Sequence, residues 1–547
     1  MAERRIVQWD KDDCADLGII KIDLLGLGML SALEEAIPLI ERHEGRAIDL
    51  AGLPPDDPPT YAMLRRADTI GVFQIESRAQ MATLPRLKPK TFYDLVVEIA
   101  IIRPGPIVGQ MVHPYLNRRA GREPVVYPHE SLQPILERTL GVPIFQEQLL
   151  RIAMTAAGFS GGEAEELRRA MGFKRSVERM QQIEERLRIG MRARGLSSQA
   201  EDEIIRHITS FALYGFPESH SASFALIAYA SAYLKRHHPA AFLAGLLRAQ
   251  PMGFYSPATL VKDAQRHGVE VRPVDVLRSG TRADLESSPQ AGRPPAVRIG
   301  LDAVGGLGQK AATRVVGERE RRPFDDLGDF VRRTAPDRDE LDALAELGAL
   351  AQLRGAPEAR RDALWQVAVL ERDPRSLFAG RPIAMPATST EAAGPTEAAS
   401  PTEAALPPMS PIEETLSDYR LSGLTTGVHL MAHLRPALEG RGILSAARLR
   451  EQPDGAFVRT AGHAIVRQRP GSAKGFCFVT LEDESGLSNA VLTPDMARRF
   501  RVPLHQASLL EVAGPLQRVD GVLHVRVREL RALEVGSSKL PPSHDYR

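Results

Sequence analysis

TEAAGPTEAASPTEAALP, Thr390 to Pro407, is a six-residue unit written three times in threonine, glutamate, alanine and proline, with one glycine, one serine and one leucine as its variations. Such a segment cannot bury enough apolar surface to offset the entropy of ordering it, so it is expected to be a flexible linker. It decides the architecture because the residue pattern changes across it. Ahead of it, residues 1 to about 355 read as a mostly helical body. SALEEAIPLIERH (Ser31 to His43) has apolar residues at helical spacing, and FYDLVVEIAII (Phe92 to Ile102) is stopped by Arg103-Pro104-Gly105-Pro106.

Beyond the repeat the pattern alternates. KGFCFVTLEDESG (Lys474 to Gly486) and LLEVAGPLQRVDGVLHVRVREL (Leu509 to Leu530) read as strands, with Asp520-Gly521 as a hairpin turn. Leu523, Val525 and Val527 should face one way, and His524, Arg526 and Arg528 the other. A small β-barrel of OB type is the simplest account of residues 440 to 535. The expected fold class is therefore multidomain, mainly α-helical and then β.

A chain of 547 residues is too long for one core, and three or four domains are expected. Lys plus Arg number 70 and Asp plus Glu 69, so the net charge of +1 excludes no partner, and any basic surface must be local. Two cysteines far apart, Cys14 and Cys477, fit a reducing compartment and argue against a disulfide frame or a cysteine zinc site. The most apolar stretch, Ala222 to Leu234, falls short of the roughly 18 residues a membrane helix needs, and MAERRIVQWDKDD has no apolar signal core. A soluble, cytoplasmic protein without a membrane partner is expected.

GIIKIDLLGLGML (Gly18 to Leu30) sets Lys21 and Asp23 in an otherwise glycine and aliphatic run. A buried carboxylate is costly unless paired or bound to metal. The two side chains could satisfy each other on one strand face. A ligase-type Lys-x-Asp-Gly nucleophile fails, because Leu24 stands where the glycine should be. A metal-binding aspartate at a strand end is the third reading, and a two-metal site would need several such carboxylates.

Other stretches carry charge or turn chemistry. In SGGEAEELRRAMGFK (Ser160 to Lys174), Ser160 and Glu163 have capping-box spacing, and Arg168 and Arg169 fall near the helix's far end, where cations also suit the dipole. GFPESHSASF (Gly215 to Phe224) is a loop leading into an aromatic-bearing helix, with Ser219 or Ser221 as a possible cap. Tyr229 and Tyr233 are expected to pack as core, and Gln146 and Glu147 to join a structural hydrogen-bond network. VGGLGQKAATRVVGER (Val304 to Arg319) places Gly306 and Gly308 in a tight turn before a helix. Backbone N–H groups there can meet a phosphate, with Lys310 and Arg314 adding charge. This is a helix-hairpin-helix pattern; ELDALAELGALAQL (Glu340 to Leu353) reads as a degenerate structural copy. In the β segment, Arg467, Arg469, Lys474, Phe476 and Phe478 form a candidate single-strand face. The two rings share one side, which is expected to be core more than a stacking surface, with the arginines the firmer contacts.

GIIKIDLLGLGML resembles the segment carrying the third catalytic aspartate of bacterial C-family DNA polymerases, the α subunits of polymerase III type. Asp23 falls on that aspartate. The resemblance continues in order through FQIESR (Phe73 to Arg78), RPGP (Arg103 to Pro106), FQEQ (Phe145 to Gln148), LRRAMGFK (Leu167 to Lys174) and YGFPESHSASFAL (Tyr214 to Leu226). RQRPGSAKGFCFVTLEDESG (Arg467 to Gly486) is similar to the error-prone, damage-tolerant branch. The resemblance implies that Arg168, Arg169 and Lys174 bind the incoming triphosphate, for which guanidinium is well shaped. It also implies that Ser219, His220 and Ser221 face the nascent base pair, and that Asp23 holds magnesium in a two-metal site.

Implied domains are 1–30, a palm remnant; 31–250, fingers; 251–355, a helix-hairpin-helix region; 356–412, the linker; 413–535, a connector and OB-fold; and 536–547, a tail. The family's other two aspartates lie in an upstream Pro-Asp-x-Asp-x-Asp motif, and only 22 residues precede Asp23. The N-terminal PHP domain is missing as well. The chain is thus expected to be the C-terminal half of a translesion polymerase, inactive alone, with a non-catalytic DNA-binding scaffold as the rival reading. Implied partners are primer-template DNA, deoxynucleoside triphosphates and mutasome accessory proteins. Sliding-clamp contact stays open, since SLFAG (Ser376 to Gly380) is a degenerate clamp peptide at best.

Overall fold

The computed structural model describes residues 14, 17–19, 25–102, 108–172, 177–211, 216–287, 294–354, 360–370, 407–519, 521–533, 540 and 543–546. The helical body begins with α1 (Leu27–Glu44), which covers the Ser31–His43 pattern. Its inward face carries Met29, Ala32, Leu33, Ala36 and Ile40, one stripe of a 3.6-residue helix. Helices α2 (Pro58–Arg65) and α3 (Arg78–Leu87) follow, then α4 (Phe92–Ile101), buried along nearly its whole length. Thr91 and Asp94 form a capping box that starts α4, and Asp94 also meets Arg119 at 2.6 Å. Arg119 lies at the end of α5 (Val108–Arg119).

The middle of the chain forms a layer of its own. Helices α6 (Gln146–Ala157), α7 (Gly161–Gly172), α8 (Val177–Ala193) and α9 (Ser198–Phe211) gather around Leu149, Ile152, Leu167, Ile183, Leu187 and Ile204. This cluster is separate from the main core. Helix α10 (Glu218–His237) returns to the main core and packs on α4. Helix α11 (Pro239–Arg248) lies against α1 so closely that a Cβ on Gly245 would sit 2.3 Å from the Ala32 carbonyl oxygen. Only glycine permits that approach.

Helix α12 (Pro257–Arg266) leads into a three-stranded sheet of β1 (Val271–Arg272), β2 (Asp284–Glu286) and β3 (Ala296–Arg298), in spatial order β1-β3-β2. Then come α13 (Gln309–Arg321), α14 (Leu327–Thr334), α15 (Arg338–Glu346) and α16 (Arg360–Ala368). Helix α16 falls inside the segment expected as linker, yet Ala363 and Val367 are buried and Arg360 pairs with Asp418 at 2.6 Å. The repeat up to Leu406 lies outside the described residues, as does SLFAG.

After α17 (Pro411–Ser422) and α18 (Leu430–Glu439) the chain becomes β. Strands β4 (Phe457–Gln468), β5 (Cys477–Asp483), β6 (Gly486–Leu492), β7 (Leu509–Val519), β8 (Val522–Arg526), β9 (Glu529–Ala532) and β10 (His544–Tyr546) form one sheet. Its order is β10-β4-β5-β6-β8-β7-β9, and β4 also pairs with β7, so the pairings of five strands return to their start. Val519 pairs with Val522, and Gly521 takes φ +85°, matching the tight turn read at Asp520-Gly521; Asp520 lies outside the described residues. Val525 and Val527 are buried while Arg526 and Arg528 are exposed, as the alternation requires. The sheet docks on the body through Glu482, which accepts from Arg266 and Thr259 at 2.9 Å each.

Candidate nucleic-acid interface

Asp23 and Lys21 lie outside the described residues, as do Arg103, Lys174 and the side chain of Arg169. Arg168 is described. It projects from α7 into solvent and grips Glu165 in a two-point pair at 2.8 and 2.6 Å. The helix begins as its sequence requires: Ser160 and Glu163 cap each other, with Ser160 N–H donating to the Glu163 carboxylate at 2.8 Å. Arg186 of α8 pairs with Glu163 and Glu166, which ties α7 to α8.

The start of α10 is joined to α6. Gln146 N–H donates to the Phe216 carbonyl at 3.0 Å, and Glu147 accepts from Glu218 N–H at 3.0 Å. That is the expected structural network for Gln146 and Glu147. His220 stands between Phe216 and Phe224, with ring centroids 5.0 and 4.1 Å away, and Ser219 is exposed. Ser221 is a correction. It is fully buried, and its hydroxyl donates to the Val96 carbonyl of α4 at 2.6 Å, so it fastens two helices and cannot face a base pair. Tyr229 packs as expected: it is buried, lies 5.8 Å from the Tyr61 ring, and accepts from Asp57 N–H at 3.0 Å.

At the hairpin turn, Gly306 has φ +89° and Gly308 is the N-cap of α13 without any side-chain cap. A Cβ at either position would meet nothing within 4 Å, so the turn is open to an approaching group. Lys310 and Arg314 are exposed on the following turns. Uncapped first-turn amides beside two cations are the chemistry a phosphate needs. The second copy, at α15, is structural: Leu341, Leu344 and Leu347 are buried.

The β segment overturns two expectations. Phe476 and Phe478 are not core: Phe476 is exposed, and Phe478 lies under the Arg78 guanidinium at 4.3 Å, while Cys477 between them is buried. Arg467 is not a strand-facing cation either. It is buried, and its guanidinium reaches Ser543 and the Ala507 carbonyl oxygen at 2.5 Å. Arg469 and Lys474 are exposed.

Among the described residues one cluster has the donor types of a metal site. Asp68, Asp263 and His267 bring ligand atoms within 4.8 Å of one another. The ammonium of Lys235 already sits among them, 3.1 Å from Asp68 and 2.7 Å from Asp263. Burial disfavours that ammonium, but the two carboxylates outweigh it and raise its pKa. A divalent ion would have to displace a paired cation, so this cluster does not fit a metal. Asp23 fits by donor type, a carboxylate for a hard cation. Sequence spacing gave no sign of the cluster, whose members meet only through the fold.

With this geometry in hand, residues 29–195 match the family model for the bacterial DNA polymerase III alpha subunit finger domain, and residues 268–363 match a helix-hairpin-helix motif. Those matches point to the class the chain resembles, the bacterial C-family DNA polymerases. Within the class its similarity is to the error-prone type. It is 48% identical to an error-prone DNA polymerase of Anaeromyxobacter sp. (strain K), over 100% of this chain and 48% of that protein. It is 50% identical to one of Azoarcus sp. (strain BH72), over 97% of this chain and 49% of that protein. The chain spans about half the length of the curated relatives it matches. A solved asparaginyl-tRNA synthetase from Pyrococcus horikoshii covers 17% of the chain at 22% identity with a TM-score of 0.15, too slight to bear on the fold. Among the described residues no helix is long and apolar enough to cross a membrane.

Proposed function

We propose that these 547 residues are the nucleotide- and DNA-handling half of an error-prone, template-directed DNA polymerase that acts in translesion synthesis in the cytoplasm. The observation that carries this is identity of 48% along the entire chain to proteins named error-prone DNA polymerase. The helical body from 31 to 250 serves as fingers. Arg168 and Arg169 clamp the triphosphate with Lys174 beside them, while Ser219 and His220 border the nascent base pair. Gly306, Gly308, Lys310 and Arg314 hold duplex phosphates. The closed β segment is read as an OB fold whose Arg469, Lys474 and Phe476 track a single strand, with Phe478 held at its edge.

Asp23 is the one residue of this chain assigned to divalent metal. When bound, two magnesium ions supply charge neutralisation at the entering hydroxyl and the departing pyrophosphate. The protein's part is to orient the triphosphate and keep its charge compensated through guanidinium groups, which stay protonated throughout. Mutasome accessory proteins are the partners that the error-prone type suggests.

A polypeptide of these 547 residues contains no Pro-Asp-x-Asp-x-Asp motif. It should extend no primer alone, and should do so once joined to a segment supplying the paired aspartates. Primer extension with magnesium and four nucleotides checks both halves; steady incorporation by the chain alone would overturn its assignment as an incomplete catalyst. One observation favours the rival scaffold reading: Arg168 is already satisfied by Glu165. Arg168→Ala with Arg169→Ala separates the two readings, since a scaffold keeps its DNA binding and function, whereas the completed polymerase loses nucleotide affinity.

A further inference from the structure

A cavity of about 490 Å³ opens between the helical body and the β segment. Arg65, Arg66 and Arg78 line it from the body, and Arg450, Asn489 and His524 from the other side; among the described residues its lining contains no aspartate or glutamate. None of the four arginines has a carboxylate partner among the described residues.

Arg78 is the residue that calls for explanation. It is the first residue of α3, the end of a helix where the macrodipole repels a cation. Its guanidinium donates to Asn489 Oδ1 at 3.3 Å, meets His524 Nδ1 at 3.4 Å and covers the Phe478 ring. All three partners are neutral. Burial pushes its pKa down to about 10, and with Arg78 beside it burial pushes His524 down to about 4, so the imidazole stays uncharged. Elsewhere the fold compensates enclosed guanidiniums. Arg266, Arg298 and Arg435 meet carboxylates, and Arg319 and Arg467 meet backbone carbonyl oxygens. Arg78 has neither. A desolvated cation left without counter-charge costs stability, and an anion in the cavity would remove that cost.

We propose that this cavity is a phosphate site, which takes the phosphate of a nucleotide unit on Arg78, Arg65, Arg66 and Arg450 and so bridges the body to the β segment. The rest of the lining is largely apolar, including Met81, Leu449 and Leu523, which leaves room for a base or sugar beside the phosphate. The ligand is a nucleotide phosphate from either of two sources, a single strand crossing the β segment or a free mononucleotide. The proposal rests on the polymerase reading only for its preference for nucleotides over other phosphates.

The test uses the full chain with two probes, a fluorescein-labelled twelve-nucleotide oligothymidylate followed by anisotropy, and thymidine 5′-monophosphate followed by calorimetry. Arg78→Gln should weaken one of them by about 10-fold or more and flatten its salt dependence, since one phosphate contact is lost. The thermal midpoint should stay level or rise, because an uncompensated charge has gone. Loss of oligonucleotide binding alone assigns the strand as source; loss of mononucleotide binding assigns the free ligand. Arg450→Gln, at an exposed lining position, should repeat the effect if Arg78→Gln does not fold. Unchanged binding of both probes, with a lowered midpoint, would make Arg78 structural and overturn the proposal. A duplex titration in parallel keeps the two readings apart: intact duplex binding beside unaffected probes sinks the cavity alone, whereas absent DNA binding sinks the polymerase reading.

Discussion

His267 Nε2–H donates to the Asp68 carboxylate at 2.7 Å, and that hydrogen bond is the main reason its pKa is raised. Asp68 moves the opposite way: burial opposes its ionisation, but His267 and Lys235 together hold its carboxyl below the usual range. The sign of the pH effect follows. The His267 contribution is complete below the unfolded histidine value near 6.5 and fades as pH climbs through the higher folded value. The Asp68 contribution is complete above about 3.8 and fades on acidification. His267→Ala should therefore lower the urea midpoint most near pH 5 to 6, with the gap from the parent shrinking by pH 9; a gap that widens with pH would refute this account. Neither this network nor the bond from Ser221 to Val96 was legible in the sequence. Ser221 sits at a plausible capping position, and its acceptor lies 125 residues earlier, on another helix. Local spacing reports turn chemistry, not the carbonyl a serine finds after collapse.

Among elements, the hairpin ahead of α13 was legible because its requirements are local. A glycine at positive φ, a second glycine at the cap and cations on the next two turns are all written within nine residues, Gly306 to Arg314. Lys310→Ala should weaken duplex binding by a similar factor on unrelated sequences and lower the slope of log affinity against log salt by about one. Anisotropy at several salt concentrations measures both, and a sequence-dependent loss would point to base contacts. Strand β4 shows where alternation misleads. Ala464 pairs with Leu481 but Val466 pairs with Thr480, so Ile465 is an extra residue, a bulge. Beyond it, inward and outward positions exchange, and Arg467 comes opposite Val479, whose side chain is wholly enclosed. Without the bulge it would have stood opposite Phe478 on the outer side. One inserted residue thus moved a guanidinium from the strand-facing surface to the interior, and nothing in the local pattern announces it.

Across the whole molecule, the change from helical to alternating pattern falls later than the repeat: α17 and α18 follow it and bury Tyr419, Leu430 and Met431 in the main core, and the large sheet begins only at β4. The partition of the fingers was less legible. Residues 31–250 read as one unit, yet side chains from Leu132 to Ile208 form a second core whose members include Leu149, Leu167 and Leu187. Apolar spacing shows that a helix has a buried face, and it does not say which neighbour covers it. Leu187→Ala should cost about 2–5 kcal/mol within that second core. Hydrogen exchange should then speed up across α6 to α9 and leave α1 and α4 protected. Uniform acceleration over all helices would show that the two cores open together. The placement of the thiols has a practical result for such work. Cys477 points into the β core while Cys14 is partly accessible. A maleimide dye would mark the unmutated chain once, nine residues ahead of Asp23 in sequence, giving an optical reporter on the segment that leads to the aspartate assigned to metal without engineering a single codon.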